Sequence, residues 1–481
     1  MTHRLAISLL ERSIAPCPLY RQIAEAIERD IASGRFRSGD RLPSIRILAR
    51  QLDVARKTVR AAFTELEKRG RISCLPRSGV FIADVAPGRA TLRAREAARV
   101  PRFDHARVTL PRRPVSPRAR FDLLGGVPAL DTAPTVELAR AFRRSLARDR
   151  GHALMDYGDA RGLERLRAAF ASWLARTRGL SVGIDAIHVV RGAQNGLYLA
   201  GRALLKPGDR VATEAYLHPS ASALFRLLEL EIVPVPVDDA GMRIGALEAL
   251  DGDRTIRAVY ITPHHQLPST ATLSPARRDR LLELARERRW MIFEDDYDHE
   301  FQYTGNPILP LAYQDRHGAV IYFGTLSKVV APGLRMAFVV APPPVIERIA
   351  AYRRFVDVQG DQILECAIAD LLEDGEIERH VQRTLRIYRA RREALCEALS
   401  ADLPMLRFTP PRGGMALWAH APGIDVDAWA RKALHLGVSF QPASLFACGD
   451  VPLDYARIGF AACSATALRE AVRLMARALP R

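Results

Sequence analysis

At 481 residues, 48% of them hydrophobic, the chain is too long for one ordinary domain and holds ample material for a large core. A formal charge of +17 fits a polyanionic partner, or arginines that merely solvate helix faces. Six scattered cysteines without metal-ligand spacing read as reduced thiols, Met1 to Ser13 lacks an apolar core and a cleavage site, and no apolar run is long enough to span a bilayer. A cytoplasmic protein is expected.

The first module runs over 9–84. Pro18 suits the first turn of a helix, and Leu19, Ile23, Ala26, Ile27 and Ile31 recur at helical spacing until Ser33-Gly34. Gly39 to Ser44 is a turn into a second helix, Ile45 to Leu52. After Asp53-Val54-Ala55 a third helix places Val59, Ala62, Phe63 and Leu66 on one face and Arg56, Lys57, Thr58 and Arg60 at its start. Ile72–Leu75, Pro76-Arg77-Ser78-Gly79 and Val80–Ile82 read as a β-hairpin. The order predicts a winged helix-turn-helix whose third helix enters the major groove. A small helical dimerisation domain with solvated charges is the other reading, and the basic residues gathered at one helix start and one hairpin tip favour DNA. The stretches Cys17-Pro-Leu-Tyr-Arg-Gln-Ile, Gly39-Asp-Arg-Leu-Pro-Ser-Ile-Arg and Val54-Ala-Arg-Lys-Thr-Val-Arg resemble the GntR-type winged helix. The resemblance implies DNA contacts at Arg46, Arg56, Arg60, Arg77 and Gly79. Ala55 and Arg77 depart from the small hydroxyl residue and the glycine usual there.

A linker is expected over 85–120, where prolines and arginines alternate without apolar periodicity.

From Gly162 onward helical and strand patterns alternate, which predicts an α/β domain over 121–481 with a mostly parallel sheet and ligand-binding residues at the strand C-terminal ends. Strands are expected at Ile187–Arg191, Val211–Glu214, Ile232–Val237, Ala258–Thr262, Trp290–Glu294, Ile321–Phe323 and Met336–Val340. The turn Gly192-Ala193-Gln194 lies between a strand and a helix start, where backbone N–H groups can cradle a phosphate. Glu294-Asp295-Asp296-Tyr297 ends a strand with three acids, which need partners: a protonated pyridine nitrogen, a bound metal, or solvent. Gly324-Thr-Leu-Ser-Lys328 presents one lysine after a hydroxyl-rich turn, with Arg335 seven residues on. A solvated surface turn would look the same in isolation. Together the pieces fit pyridoxal 5′-phosphate: a Schiff base at Lys328, an acid on the ring nitrogen, phosphate ligands at the Gly192 turn, Thr325, Ser327 and Arg335, Tyr216 stacked on the ring and Tyr297 on its phenolic oxygen.

The body, from Tyr157-Gly-Asp-Ala-Arg-Gly-Leu through Arg191-Gly-Ala-Gln, Thr262-Pro-His-His-Gln-Leu-Pro, Glu294-Asp-Asp-Tyr and Gly324-Thr-Leu-Ser-Lys, resembles a fold-type I aminotransferase. A GntR-type head on such a body resembles the MocR subfamily of bacterial transcriptional regulators. The resemblance implies a mixed, mostly parallel sheet with a small C-terminal α+β subdomain and a head-to-tail homodimer on paired operator half-sites or direct repeats. It implies Asp295 rather than Asp296 as the pyridine partner, Tyr157 reaching the cofactor phosphate of the partner subunit, and Arg457 pairing with the carboxylate of an amino-compound effector held as an external aldimine. His218 stands where the GABA-responsive member has arginine, His264 where serine is usual, and Thr270 where glycine is frequent. The expected function is a PLP-dependent DNA-binding regulator; a working aminotransferase with a DNA-binding head is the alternative. No residue is singled out as a metal ligand.

Overall fold

The computed structural model describes residues 18–75, 78–83, 119–147, 152–250, 255–305 and 308–480. The chain divides into two compact units, Met1–Ala106 and Arg107–Arg481. The linker expected over 85–120 lies, apart from its last two residues, outside the described residues.

In the first unit, α1 (Leu19–Ala32), α2 (Ile45–Gln51) and α3 (Arg56–Lys68) enclose a small core. Ile23 and Ile27 of α1 meet Leu48 of α2 and Val59, Phe63 and Leu66 of α3 there. These positions recur every three to four residues, so each helix turns one apolar stripe inward. Ser44 caps α2 by accepting from the N–H of Ile47. Ala55 occupies the matching position of α3 with extended φ and ψ but has no side-chain oxygen to offer. Strands β1 (Arg41–Leu42), β2 (Ile72–Leu75) and β3 (Gly79–Ile82) form an antiparallel sheet in the order β1-β3-β2. This is a winged helix-turn-helix with β2 and β3 as the wing.

The second unit is built on a seven-stranded sheet. Its strands are β4 (Ile187–Val190), β5 (Arg210–Glu214), β6 (Glu231–Val235), β7 (Ile256–Ile261), β8 (Met291–Asp296), β9 (Val320–Thr325) and β10 (Ala337–Val340). Their order in space is β4-β10-β9-β8-β7-β5-β6. The pairs β5–β6, β5–β7, β7–β8 and β8–β9 are parallel, and β10 runs antiparallel to both neighbours. The strands are apolar on both faces because helices cover both. Ala212, Val259, Ile292, Tyr322 and Phe338 face one core, and Val211, Ala258, Phe293, Phe323 and Val339 face the other. A smaller subdomain follows, with an antiparallel sheet of β11 (Ala416–His420), β12 (Gln441–Pro442) and β13 (Tyr455–Gly459) and its own core around Trp429, Leu417 and Ile458. The architecture is α/β with a mixed, mostly parallel sheet, as expected.

Candidate functional site

Strand alternation decides which acid faces which side. Successive side chains point to opposite faces. Phe293 and Asp295 therefore lie on one side of β8, Glu294 and Asp296 on the other. Asp295 faces a cavity of about 270 Å³ together with Tyr260, Phe323, Thr325, Ser327, Lys328 and Arg457. The hydroxyl of Tyr260 donates to Asp295 Oδ2 at 2.6 Å, while the buried Oδ1 has no partner. Burial raises the Asp295 carboxyl to about 6, the Tyr260 hydroxyl opposes that rise and the neighbouring Asp296 adds to it. A cation in the cavity would relieve both. On the opposite face, Glu294 accepts from the N–H groups of Leu311 and Ala312 at 2.7 and 2.9 Å. Asp296 accepts from Tyr322 and His299, each at 2.7 Å. The third acid of the run, like the first, is thus committed away from the cavity.

Lys328 enters the cavity just after β9. Its Nζ donates to the carbonyl of Gly126 at 2.6 Å, and burial pulls its pKa below the usual lysine value. A larger neutral fraction makes the amine a better nucleophile toward a carbonyl. The turn before it is tied by the N–H of Ser327 donating to Thr325 Oγ1 at 3.1 Å. Arg335 sits at the end of a short helical turn with φ 53° and donates to the carbonyl of Arg191 at 3.2 Å. Directly opposite, Gly192 precedes α4 (Ala193–Leu204) with φ 87°; a Cβ there would collide with the Arg335 guanidinium. Glycine thus lets a basic side chain press against the N-terminus of a helix, which is a cradle for an oxyanion. Ala193 and Gln194 line the cavity beside it.

Tyr297 also lines the cavity and donates to the carbonyl of His265 at 3.1 Å. Arg457, on β13, is fully buried; Nη1 donates to the carbonyl of Pro268 at 2.8 Å, and Nε has no partner. His218 begins α5 (Pro219–Leu227), accepts from the N–H of Ser220 through Nδ1, and forms part of the wall.

Tyr216, expected to stack on the ring, lies beside the cavity rather than in its wall. It pairs with Ala447 in an isolated bridge, its hydroxyl donates to Pro452 at 2.6 Å, and its ring lies edge-on to Trp418. Its ring packs in a small apolar cluster with Ala443 and Phe446, and His218, two residues later, is part of the wall. Tyr157 is 82% exposed and does not line this cavity either. Sequence reasoning missed Gly126, Tyr260, Gln441 and Glu214. Glu214 alone carried a signal, as an acid ending the apolar strand β5. It accepts from the N–H and hydroxyl of Thr262 at 3.1 and 2.6 Å, and burial raises it to about 7.

In the first unit Arg46, Arg56, Lys57 and Arg60 are exposed and form no ion pair among the described residues. Arg35 and Arg69, away from the start of α3, are matched by Asp30 and by Glu28 and Glu65. Thr58 is half-buried. Gly79 has φ 124° and a Cβ there would meet the Arg41 side chain at 2.7 Å. Arg77 lies outside the described residues.

The model of the bacterial regulatory proteins of the gntR family matches residues 19–82, and that of aminotransferase class I and II matches residues 123–474. Over nearly its whole length the chain is 31% identical to the HTH-type transcriptional regulator TauR of Rhodobacter capsulatus, covering 96% of each chain. It is 29% identical to the "Probable rhizopine catabolism regulatory protein MocR" of Rhizobium meliloti, covering 95% of this chain and 93% of that one. The chain belongs to the MocR subfamily of GntR-type regulators. The aminotransferase half of this MocR-type chain is also similar to the crystal structure of a Pyrococcus horikoshii kynurenine aminotransferase in complex with PMP, with a TM-score of 0.70 and 29% identity over 74% of this chain and 90% of that one. The family's cofactor is pyridoxal 5′-phosphate, and the cavity fits it: one buried lysine amine, one unpartnered carboxylate oxygen, and a helix N-terminus facing an arginine.

Proposed function

We propose that the chain is a transcriptional regulator that binds operator DNA through its winged head and reads pyridoxal 5′-phosphate, alone or with a small amino compound, through its aminotransferase-like body. The observation that carries the reading is the presence in one chain of unpaired basic residues at the start of α3 and a lysine-bearing cavity fitted to that cofactor. The match to TauR across both halves supports it.

Lys328 would hold the cofactor covalently through its amine. Asp295 would meet the ring nitrogen with its free Oδ1, and Tyr297 the phenolic oxygen. The phosphate would rest on the N–H groups of Ala193 and Gln194, with Thr325, Ser327 and Arg335 around it. When bound, pyridoxal 5′-phosphate supplies an aldehyde that condenses with amines and a ring that withdraws electrons. Arg457 would orient the carboxylate of an amino compound, with His218 beside it. The exposed Tyr157 would serve a second copy's site, which supports a homodimer. In the head, Arg46, Arg56, Lys57, Thr58, Arg60, Gly79 and the wing residue Arg77 would meet DNA. The proposed division is 9–84 for the head, 85–120 for the linker and 121–481 for the body.

The convergence of Lys328, Asp295 and Arg457 on one cavity also favours a second reading, an aminotransferase with an appended DNA-binding head. Steady conversion of an amino donor and a keto acceptor would establish it. Titration of the purified chain with pyridoxal 5′-phosphate tests what the two readings share. A saturable visible absorbance band is expected in the wild type and none in Lys328→Ala. Asp295→Asn should weaken binding by about 2–5 kcal/mol, the effect of removing one partner of a buried charge pair. Equal binding by wild type and Asp295→Asn would count against the assignment of the ring nitrogen.

A further inference from the structure

Behind β8, on the face away from the cofactor cavity, three buried side chains converge. One ligand atom each from His264, Asp296 and His299 lie within 4.8 Å of one another. His264 follows β7, Asp296 ends β8, and His299 sits on the segment after it. The residues are 4%, 2% and 8% exposed. Neither ring nitrogen of His264 has a hydrogen-bond partner, and neither has Asp296 Oδ1. Such groups are rarely left unsatisfied in a folded interior, and each unpaired atom here is one that a metal can accept as a ligand. The rest of the cluster is already arranged. Asp296 Oδ2 accepts from Tyr322 and His299, which fixes the carboxylate and one imidazole, and the nearby Arg178 is matched by Glu300. The rings of His264 and His299 lie 4.7 Å apart and 36° from parallel.

We propose that His264, Asp296 and His299 form a site for a divalent transition-metal ion of the zinc class. Two imidazoles and one carboxylate suit that class better than calcium or magnesium, which favour sets of oxygen ligands. Three protein ligands leave a fourth position for water or an anion. The ion would tie the ends of β7 and β8 together on the side opposite Asp295. The packing of three aromatic rings, with His264 edge-on to His265, is the competing account of the same geometry. The site does not depend on the reading of the cofactor cavity, and its test needs no cofactor.

The test uses the untagged, full-length chain, stripped with a chelator and then titrated with Zn²⁺ or Co²⁺. Elemental analysis after dialysis should give one equivalent of metal per chain. The Co²⁺ protein should show the strong visible absorption of low-coordinate cobalt. His264→Ser removes no hydrogen bond and should lower affinity at least ~100-fold. It should also abolish any rise in melting temperature on adding Zn²⁺, whereas His435→Gln, at an exposed histidine, should change neither. Wild-type chain that retains no metal, or His264→Ser that retains as much as wild type, overturns the site; the latter result means adventitious binding only. If His264→Ser does not fold, the Co²⁺ spectrum of the wild type decides: a weak, six-coordinate, water-like spectrum overturns the proposal.

Discussion

The run Glu294-Asp295-Asp296 shows how one residue of shift changes chemistry. In sequence the three acids are equivalent, and naming Asp295 required a resemblance. In the fold, alternation along β8 sends only Asp295 into the cavity, where Oδ1 stands free. Tyr216 and His218 show the converse. Both follow β5, yet Tyr216 pairs with Ala447, more than two hundred residues away, and packs in an apolar cluster, while His218 lines the cavity. No local pattern carries that information. Glu214 yields a prediction in the chain without cofactor. Its pKa rises from 4.5 to about 7 on burial. The fold therefore favours the protonated form, and Glu214 contributes stability that is complete below the unfolded value and is lost as pH rises through the folded one. Glu214→Gln mimics the protonated side chain and should remove that dependence, by at most about 3 kcal/mol between about pH 4.5 and about pH 8. Urea unfolding of both proteins across this range checks it; equal pH slopes would contradict it.

Elements were the most legible scale. Each of the seven central strands was expected close to where it lies, because the body alternates short apolar runs with amphipathic stretches. The head was legible because its turns carry Gly39-Asp40 and a serine cap. The loop that brings the Gly126 carbonyl to Lys328 was not, since it has no periodicity and its partner lies 202 residues away. One element departs from good local design. Helix α3 starts at Ala55, whose φ of −65° and ψ of 142° suit a capping residue but whose methyl group cannot accept a hydrogen bond. Ala55→Ser should stabilise the head by about 1 kcal/mol. Amide hydrogen exchange at the first turn of α3 is the readout. Slower exchange in the variant is expected, and unchanged exchange would mean that another group already satisfies those N–H donors.

At the scale of the molecule, two units of different chemistry share one chain. The charge of +17 was ambiguous in the sequence, because most arginines could have been solvated helix faces. Several are instead matched by carboxylates: Arg69, Arg161 and Arg280 each engage neighbouring acids. Arg56, Lys57 and Arg60 engage none among the described residues, which makes them available to phosphates or base edges. If Arg60 meets a phosphate, Arg60→Ala should weaken binding to all sequences alike and reduce the slope of log K against log salt by about 1. Contact with a base edge would instead relax specificity at one position. A cofactor that regulates this binding must favour one DNA-binding state of the chain by a difference in free energy between the states. The most direct measurement is the affinity of the full-length chain for its own upstream DNA, with and without pyridoxal 5′-phosphate, in wild type and Lys328→Ala. A change in affinity or footprint on adding the cofactor to wild type, absent in Lys328→Ala, is the predicted result. Specific binding that the cofactor leaves unchanged in both proteins would contradict a cofactor-reading regulator.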